Sequence, residues 1–230
     1  MRKFKSFIAL DLKSNAQNIS IVKKLHYHVY GFKVGYRSFY NKRSNDLISE
    51  IKKKKSKLFL DLKLHDIPNT VSKSLANICN LGVWMTNIHL LGGREMIEDA
   101  SSTVKKIKSD MILVGVTILT SLNENNLMEL GFKFSSEEIA LNLAKLAKEN
   151  GIDGVVCSID DISGIKASMG SDFLLVTPGV RMLQENDDQK RSGSIYDAIK
   201  FGTDFVVIGR EITQAENPEG VLKKIESLIV

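Results

Sequence analysis

The chain carries the sequence FLDLKLHDIPNT at residues 59–70, where an apolar strand with two charges leads into the start of a helix. Residues two apart on a β-strand point to the same side, so Asp61 and Lys63 are predicted to project together while leucines pack behind them. Pro68 suits the first turn of a helix, and apolar residues then recur at helical spacing. Asp66 is therefore predicted to lie on the loop between the strand and the helix.

A lysine between two aspartates is most often a salt-bridge cluster on the surface, where such pairs are common and weak. Here the charges stand at the C-terminal end of a strand whose other residues are of the buried type. Burying an unpaired charge is costly, so such a strand normally carries charges only where they line a polar cavity. The position therefore favours a functional site over a surface cluster.

Short apolar strands alternate with amphipathic helical stretches along the whole chain, a pattern typical of repeated βα units around a parallel sheet. Eight candidate strands can be counted, at residues 7–10, 31–34, 58–63, 84–89, 111–118, 154–158, 173–177 and 205–208. This number, in a chain of 230 residues, predicts an α/β protein with a (β/α)8 TIM barrel, for which about 250 residues are typical. A doubly wound open sheet is the alternative, although no G-x-G-x-x-G follows the first strand.

Residues 1–230 are expected to form a single domain, since no linker rich in Pro, Gly or Ser divides the chain. The net charge of +5 and the pI near 9.0 could suggest a nucleic-acid partner. The run of four lysines at residues 52–55, however, closes a predicted helix, where cations suit the helix dipole. No nucleic-acid partner is therefore expected.

The cellular location is predicted from three features of the sequence. No apolar run approaches the roughly 18 residues of a membrane span, and the first residues, MRKFK, lack the long apolar region of a signal peptide. Cys79 and Cys157 have no paired spacing, which favours reduced and buried thiols. A cytoplasmic protein with no membrane contact is therefore expected.

The predicted barrel makes a test possible, because catalytic groups in such barrels gather at the C-terminal ends of the strands. Asp11, Lys33, Asp61 and Lys63 fall there, on three separate predicted strands. We therefore expect these four side chains to form one network. The four histidines do not suggest a set of three ligands, and no metal is expected.

Two loops have the features of a phosphate site, which such barrels often form after their seventh and eighth strands. Gly179 and Arg181 follow the seventh predicted strand, and Gly209 and Arg210 follow the eighth. Glycine lets backbone amides approach a ligand, and arginine presents a two-pronged donor to phosphate oxygens. For either loop alone, a turn glycine and a surface arginine would be the preferred interpretation.

Residues 61–70, DLKLHDIPNT, closely resemble the signature of the orotidine 5'-phosphate decarboxylase family in its bacterial form. The resemblance covers nearly the whole chain, through ALD at 9–11, FKVG at 32–35, VTILTS at 116–121, TPGVR at 177–181, DQKR at 188–191 and VIGR at 207–210. Each motif is weak alone, but the set in this order is highly specific.

The resemblance implies decarboxylation of orotidine 5'-phosphate to uridine 5'-monophosphate, the last step of de novo pyrimidine nucleotide synthesis, with no metal and no cofactor. Lys63 would stabilise a carbanion on the ring and then protonate it, while Asp61 and Asp66 would keep Lys63 charged. At about 4 Å and an effective dielectric of 20, each such charge pair is worth roughly 4 kcal/mol. Asp61 would also repel the carboxylate of the substrate.

The resemblance further implies that Asp66 and Thr70 reach the site of a neighbouring subunit across a homodimer interface, and that residues 181–189 form a lid. The remaining implied residues all bind the nucleotide: Asp11 and Lys33 at the ribose, Thr120 at the base, and Arg181, Gln189, Gly209 and Arg210 at the phosphate.

The chain departs from the family pattern in two places. Leu64 stands where the family usually has an aromatic residue, and SGS at 192–194 replaces a segment that usually bears proline. Neither change removes a chemical group from the implied site.

Two rival functions remain open at this point. One is that of a magnesium-dependent relative with the same D-x-K-x-x-D strand, a sugar-phosphate decarboxylase or a hexulose-phosphate synthase. In that group the second strand ends in a carboxylate that helps to bind the metal, whereas this chain has Lys33. The other is a catalytically silent barrel that binds phosphates or nucleic acid, against which the intact set of Asp61, Lys63 and Asp66 argues.

Overall fold

The computed structural model describes residues 5–107, 110–182 and 193–229. Its strands are, in chain order, β1 (Ser6–Ala9), β2 (Gly31–Gly35), β3 (Lys57–Leu64), β4 (Met85–His89), β5 (Ile112–Val116), β6 (Gly154–Val156), β7 (Leu174–Pro178), β8 (Val180–Arg181), β9 (Gly193–Ser194) and β10 (Phe205–Ile208). Eight of them pair in parallel and close into a barrel in the order β1-β10-β7-β6-β5-β4-β3-β2. The predicted (β/α)8 TIM barrel is therefore confirmed.

The remaining strands, β8 and β9, form a small parallel pair of their own. The sequence did not predict them, because two residues are too few to show a periodic pattern. β5 and β6 are also shorter than predicted, since the chain turns away from the sheet after each. Beyond β6, for example, the N–H of Ser158 donates to Oδ2 of Asp161 at 3.0 Å.

Helices follow the barrel strands and cover the outside of the sheet. They are α1 (Asn15–Leu25), α2 (Tyr36–Phe39), α3 (Ser44–Lys53), α4 (Pro68–Asn80), a 3-10 turn (Leu90–Gly92), α5 (Gly93–Lys106), α6 (Glu124–Glu129), α7 (Ser136–Glu149), α8 (Ile162–Met169), α9 (Ile195–Lys200), α10 (Arg210–Thr213) and α11 (Pro218–Ile229).

Helix α4 shows how the sequence sets these boundaries. Pro68 occupies the first helical position, where its missing N–H costs no intrahelical hydrogen bond. Val71, Leu75 and Ile78 are the buried residues of the helix and lie on one face. After the helix, Gly82 has φ +65°, a left-handed conformation that glycine adopts without strain, and the chain turns back toward β4.

The barrel has two apolar layers because alternate residues of each strand face opposite sides. On β3, Leu58 and Leu60 belong to the layer between the strands and the helices, whereas Phe59 belongs to the barrel interior. Asp61 and Lys63 follow Phe59 at the same period of two, so the alternation places both charges on the interior side.

Aromatic rings close the N-terminal end of the barrel. The ring centroid of Phe7 lies 5.7 Å from that of Phe59, 5.8 Å from that of Phe205 and 5.7 Å from that of Trp84. Lys57 places its ammonium 5.5 Å from the centre of the Trp84 ring, within the range of a cation–π interaction. The C-terminal end is left for the charged residues.

No helix in the described part of the chain is long and apolar enough to cross a membrane. The two cysteines both lie among the described residues and form no disulfide bond.

Candidate active site

A cleft of about 780 Å³ opens at the C-terminal end of the barrel. Apolar residues of the strands, among them Ala9, Phe59 and Val207, line its inner part. Nine of the residues predicted from the sequence also line it: Asp11, Lys33, Asp61, Lys63, Thr120, Gly179, Arg181, Gly209 and Arg210.

Charges of alternating sign run across the cleft from β1 to β3. Nζ of Lys33 lies 3.6 Å from Oδ2 of Asp11 and 3.1 Å from Oδ2 of Asp61. Nζ of Lys63 lies 2.7 Å from Oδ1 of Asp61. The four side chains are thus brought into one network, with Asp61 between the two ammonium groups.

The network keeps its central groups ionised. Burial alone would raise the pKa of the Asp61 carboxyl, but the ammonium groups of Lys33 and Lys63 and hydrogen bonds outweigh burial and hold this pKa well below its usual value. Burial alone would lower the pKa of Lys33, but Asp61 and Asp11 outweigh it and raise this pKa. At neutral pH the cleft therefore holds Asp61 as a carboxylate and Lys33 as an ammonium.

Lys63 sits on an irregular stretch of backbone. Its φ angle is +42°, in the left-handed region, which costs a non-glycine residue about 1 kcal/mol or more. The pairing of β3 with β4 shifts register between Leu60 and Leu64, so the distortion interrupts the ladder where the strand carries its charges. The direction of the Lys63 side chain therefore depends on what holds this segment.

Two polar residues of this region were missed by the sequence analysis. Asn87 on β4 is fully buried, donates from Nδ2 to Oδ1 of Asp61 at 2.7 Å and accepts at Oδ1 from the N–H of Lys63 at 2.7 Å. Arg37 on α2 lines the cleft. The available signal was a polar residue within an apolar strand for Asn87, and a cation just after the C-terminal end of the second strand for Arg37.

A buried polar network supports the loop that carries Asp11. Asn18 accepts at Oδ1 from the N–H of Leu12 at 3.2 Å, and its Nδ2 donates to Oγ of Ser38 at 2.9 Å. Ser38 in turn donates to the backbone carbonyl of Leu10. These bonds tie both neighbours of Asp11 to α1 and α2, so the carboxylate stands on a fixed segment.

The two predicted phosphate loops meet at the rim of the cleft. Gly179 links β7 to β8 with φ +73°, a conformation that side-chain-bearing residues rarely adopt. Gly209 precedes the four-residue helix α10, which begins at Arg210. The carboxylate of Glu211, on α10, accepts from the N–H of Met182 at 3.2 Å and so connects the two loops.

Two predicted site residues, Asp66 and Thr70, do not line the cleft of the single described chain. Asp66 and Thr70 are exposed, and Oδ1 of Asp66 accepts from the N–H of Ile67 at 2.7 Å. Among the described residues of one chain, Lys63 forms its ion pair with Asp61 and not with Asp66, because Asp66 lies beyond the end of β3. Gln189, with most of the predicted lid at 181–189, lies outside the described residues.

Two histidines stand beside the charged network. The rings of His65 and His89 are stacked, with centroids 5.2 Å apart and an interplanar angle of 21°. Burial, together with the charges of His65 and Lys63, lowers the pKa of His89 to about 4. No group of three or more His, Cys, Asp or Glu residues is placed to hold a metal ion in the part of the chain that the structure describes.

The lowered pKa of His89 predicts a loss of stability in mild acid. An unfolded histidine takes up a proton near pH 6.5, and His89 in the folded protein only near pH 4, so protons favour the unfolded state between these values. The stability that comes from keeping His89 neutral in the folded protein is fully present above pH 6.5 and is lost as the pH falls toward 4. Urea unfolding should show that the wild type loses about 2 kcal/mol more of its free energy of unfolding than the His89→Gln variant over this window, after allowance for solvent screening. Parallel curves for the two proteins would contradict the prediction.

The sequence and the fold of this chain are both similar to those of known decarboxylases. The chain is 40% identical over 225 residues to the orotidine 5'-phosphate decarboxylase of Actinobacillus succinogenes, and the match covers 97% of each protein. It is 41% identical over 222 residues to the enzyme of that name from Syntrophus aciditrophicus, covering 93% of this chain and 88% of the relative. The crystal structure of orotidine 5'-phosphate decarboxylase from Lactobacillus acidophilus superposes with a TM-score of 0.84, at 35% identity and with 99% of both chains covered.

The similarity is not confined to one motif. The model of the orotidine 5'-phosphate decarboxylase / HUMPS family matches residues 5–225. That range includes all eight barrel strands and every residue of the cleft described above. The chain therefore belongs to the orotidine 5'-phosphate decarboxylase / HUMPS family.

Proposed function

We propose that the protein converts orotidine 5'-phosphate to uridine 5'-monophosphate and carbon dioxide in the cytoplasm, with no metal or cofactor, as the last step of de novo pyrimidine nucleotide synthesis. The enzyme class, a carboxy-lyase, follows from family membership and from the relatives at about 40% identity. The single observation that carries the mechanism is the Asp11, Lys33, Asp61 and Lys63 network at the open end of the barrel.

The reaction needs a cation close to the ring. When the bond from carbon 6 to the carboxylate breaks, the electron pair stays in an in-plane orbital on carbon 6, where no carbonyl delocalises it directly. The Lys63 ammonium, 2.7 Å from Asp61, supplies positive charge there and then transfers a proton from Nζ to carbon 6. Carbon dioxide leaves as a neutral molecule, and the lysine takes up a proton again from water.

Asp61 has two roles in this mechanism. Its carboxylate fixes both ammonium groups, and its lowered pKa keeps it charged throughout the physiological range. A substrate carboxylate bound beside an ionised Asp61 is destabilised by like-charge repulsion, which its departure as neutral carbon dioxide relieves.

The other residues of the cleft bind the parts of the substrate that do not react. Asp11 and Lys33 hold ribose hydroxyls, and Thr120 contacts the base. The phosphate lies at the rim, bound by Arg181, Gly209 and Arg210, with Gln189 as a further contact. Binding energy from the remote phosphate then orients the ring against Lys63, which a small reacting group could not do alone.

The proposal includes a homodimer with shared sites. Asp66 and Thr70 are exposed in the single chain although they belong to the signature segment. Ile67 between them is 65% exposed, so a partner that covered this loop would remove apolar surface from water. A second copy of the chain that covers this loop would bury Ile67 and receive Asp66 beside its own Lys63.

Replacing Arg210 by alanine should weaken kcat/KM for orotidine 5'-phosphate by about 100-fold or more, but affect the slow turnover of the unphosphorylated nucleoside much less. The reason is that only the nucleotide carries the dianion that the guanidinium binds. Gln189→Ala should show the same pattern. Arg94→Ala is the matched control, since its guanidinium pairs with Glu149 on the surface at 3.0 Å. Equal losses for nucleotide and nucleoside would show that Arg210 acts structurally.

One assay tests the function as a whole: formation of uridine 5'-monophosphate from orotidine 5'-phosphate, with and without a chelator. Turnover that a chelator leaves unchanged is expected. Absence of turnover would refute the proposal. Loss of turnover on addition of the chelator would favour a magnesium-dependent sugar-phosphate enzyme. Lys33 on β2, the strand on which that group carries a metal-binding carboxylate, favours the nucleotide enzyme.

We also propose that residues 1–230 form one domain. It is supported by the closure of the barrel, in which β1, near the start of the chain, pairs with β10, near its end.

A further inference from the structure

We propose that Asn87 is a positioning residue for the reaction, which sets the direction of the Lys63 ammonium by holding both the backbone of Lys63 and the carboxylate of Asp61 with one side-chain amide. The inference rests on the proposed role of Lys63 in proton transfer. Asn87 is not among the described residues that line the cleft, so it acts through its neighbours and not on the substrate.

The amide of Asn87 makes two short hydrogen bonds of opposite sense. Nδ2 donates to Oδ1 of Asp61 at 2.7 Å, and Oδ1 accepts from the N–H of Lys63 at 2.7 Å. A carboxylate can only accept and a backbone N–H can only donate, so the two partners fix which end of the amide is which. Full burial of Asn87 means that water does not compete for either bond.

The same oxygen of Asp61 closes a ring of contacts. Nζ of Lys63 donates to Oδ1 of Asp61 at 2.7 Å, so the head and the backbone of Lys63 are both tied to the Asp61–Asn87 pair. These contacts of Lys63 lie at the point where its φ angle is +42° and where β3 shifts register against β4. The side chain of a β4 residue thus holds the N–H of Lys63 at the point where the strand pairing is irregular.

The two hydrogen bonds of Asn87 matter for the reaction because they fix the direction of the Lys63 ammonium. Proton transfer requires Nζ of Lys63 to be aimed at one ring carbon, and a misplacement of about 1 Å can cost about 100-fold in rate. Without the amide, the left-handed turn at Lys63 loses its hydrogen bond and Asp61 loses one of its fixed donors. The ammonium would then sample several directions while the ribose and phosphate contacts stay intact.

The first test compares Asn87→Ala with Thr86→Val. Asn87→Ala should lower kcat by about 10- to 100-fold, as is typical when a residue that orients a catalytic group is lost. KM and the dissociation constant of uridine 5'-monophosphate should change less than about threefold, because the nucleotide contacts remain. Thr86 is an equally buried neighbour that also links β4 to β3, through Oγ1 and the carbonyl of Leu60 at 2.9 Å. Thr86→Val should keep kcat.

The second test uses a pH signature that a purely structural residue would not give. In Asn87→Asp, a protonated carboxyl can still donate to Asp61 and accept from the N–H of Lys63, whereas an ionised one repels Asp61. The charged or titratable groups around this position are Asp61 and Lys63 from β3, Lys33 from β2, and His89 from β4 itself, on which His65 stacks at 5.2 Å; on β5 the paired residue is the apolar Val114. The ratio of variant to wild-type kcat should fall as the pH rises from about 5 to about 8.

The outcomes separate this inference from the proposed function. A loss of kcat with retained nucleotide binding and an unaffected Thr86→Val, or a kcat ratio that falls with pH, supports the positioning role. If Asn87→Ala folds and keeps kcat within about twofold of wild type, the positioning role is overturned. If Asn87→Ala fails to fold, a ratio of Asn87→Asp to wild-type kcat that does not change with pH overturns the role instead. Wild-type protein without turnover would refute the proposed function itself, whatever the variants do.

Discussion

Alanine in place of Lys63 is expected to lower kcat for orotidine 5'-phosphate by about four orders of magnitude or more, because one group supplies both the charge stabilisation and the proton. Binding of uridine 5'-monophosphate should stay within a few fold of wild type, since the residues proposed for ribose and phosphate are untouched. The rate of decarboxylation is measured from product formation in single-turnover experiments. The affinity for uridine 5'-monophosphate is measured by calorimetric titration.

Lys166 offers a matched control for this variant. Its ammonium pairs with Asp204 at 2.8 Å, and its side chain is largely buried, as that of Lys63 is, but Asp204 precedes β10 and lies toward the opposite end of the barrel. Lys166→Ala should reduce stability and leave kcat near that of wild type. Substantial turnover by Lys63→Ala would mean that Lys63 is not the proton donor, and the proposed mechanism would have to be abandoned.

Two inactive variants, Lys63→Ala and Asp66→Asn, are expected to restore activity when their subunits are mixed. In the proposed homodimer, each site takes Lys63 from one chain and Asp66 from the other. A mixed dimer therefore has one site with both defects and one site with neither. With random exchange in an equal mixture, half of the dimers are mixed, and activity should return to about a quarter of wild type.

The matched control mixes Lys63→Ala with Asp61→Asn. Lys63 and Asp61 of one chain are in direct contact at 2.7 Å, so these two defects fall on different sites of the mixed dimer and leave neither site intact. No activity should return. Exchange must be demonstrated first, for instance by unfolding and refolding the two proteins together. If proven exchange of the first pair leaves activity at the level of the separate variants, Asp66 serves its own subunit.

The barrel could be predicted from the sequence because parallel strands buried on both faces leave short, largely apolar runs, and eight such runs alternate with amphipathic helical stretches. The charges at the strand ends were also visible, since Asp61 and Lys63 share a face through the simple period of two. That relation holds although β3 is irregular at Lys63, because the side-chain hydrogen bonds of Asn87 hold the distorted segment.

What could not be predicted depends on contacts between distant segments. Asn87 is 26 positions from Asp61 in sequence, and nothing local shows that its amide would bridge Asp61 and Lys63. The left-handed conformation of Lys63 is equally invisible, because lysine has no preference for it. The position of Asp66 on the loop after β3 could be predicted from Pro68, but its proposed contribution to a neighbouring subunit's site rests on the family resemblance, since a second chain leaves no periodic signal in the sequence of the first.

Trp84 gives the protein a built-in optical reporter. It is the single tryptophan of the chain, and it lies among the aromatic rings at the closed end of the barrel, against Phe7 from the first strand and 5.6 Å from Phe205 of the last. Its emission therefore records whether the two ends of the chain have come together. A variant of the cleft with unchanged tryptophan emission still has a closed barrel, so its lost turnover can be assigned to chemistry and not to misfolding.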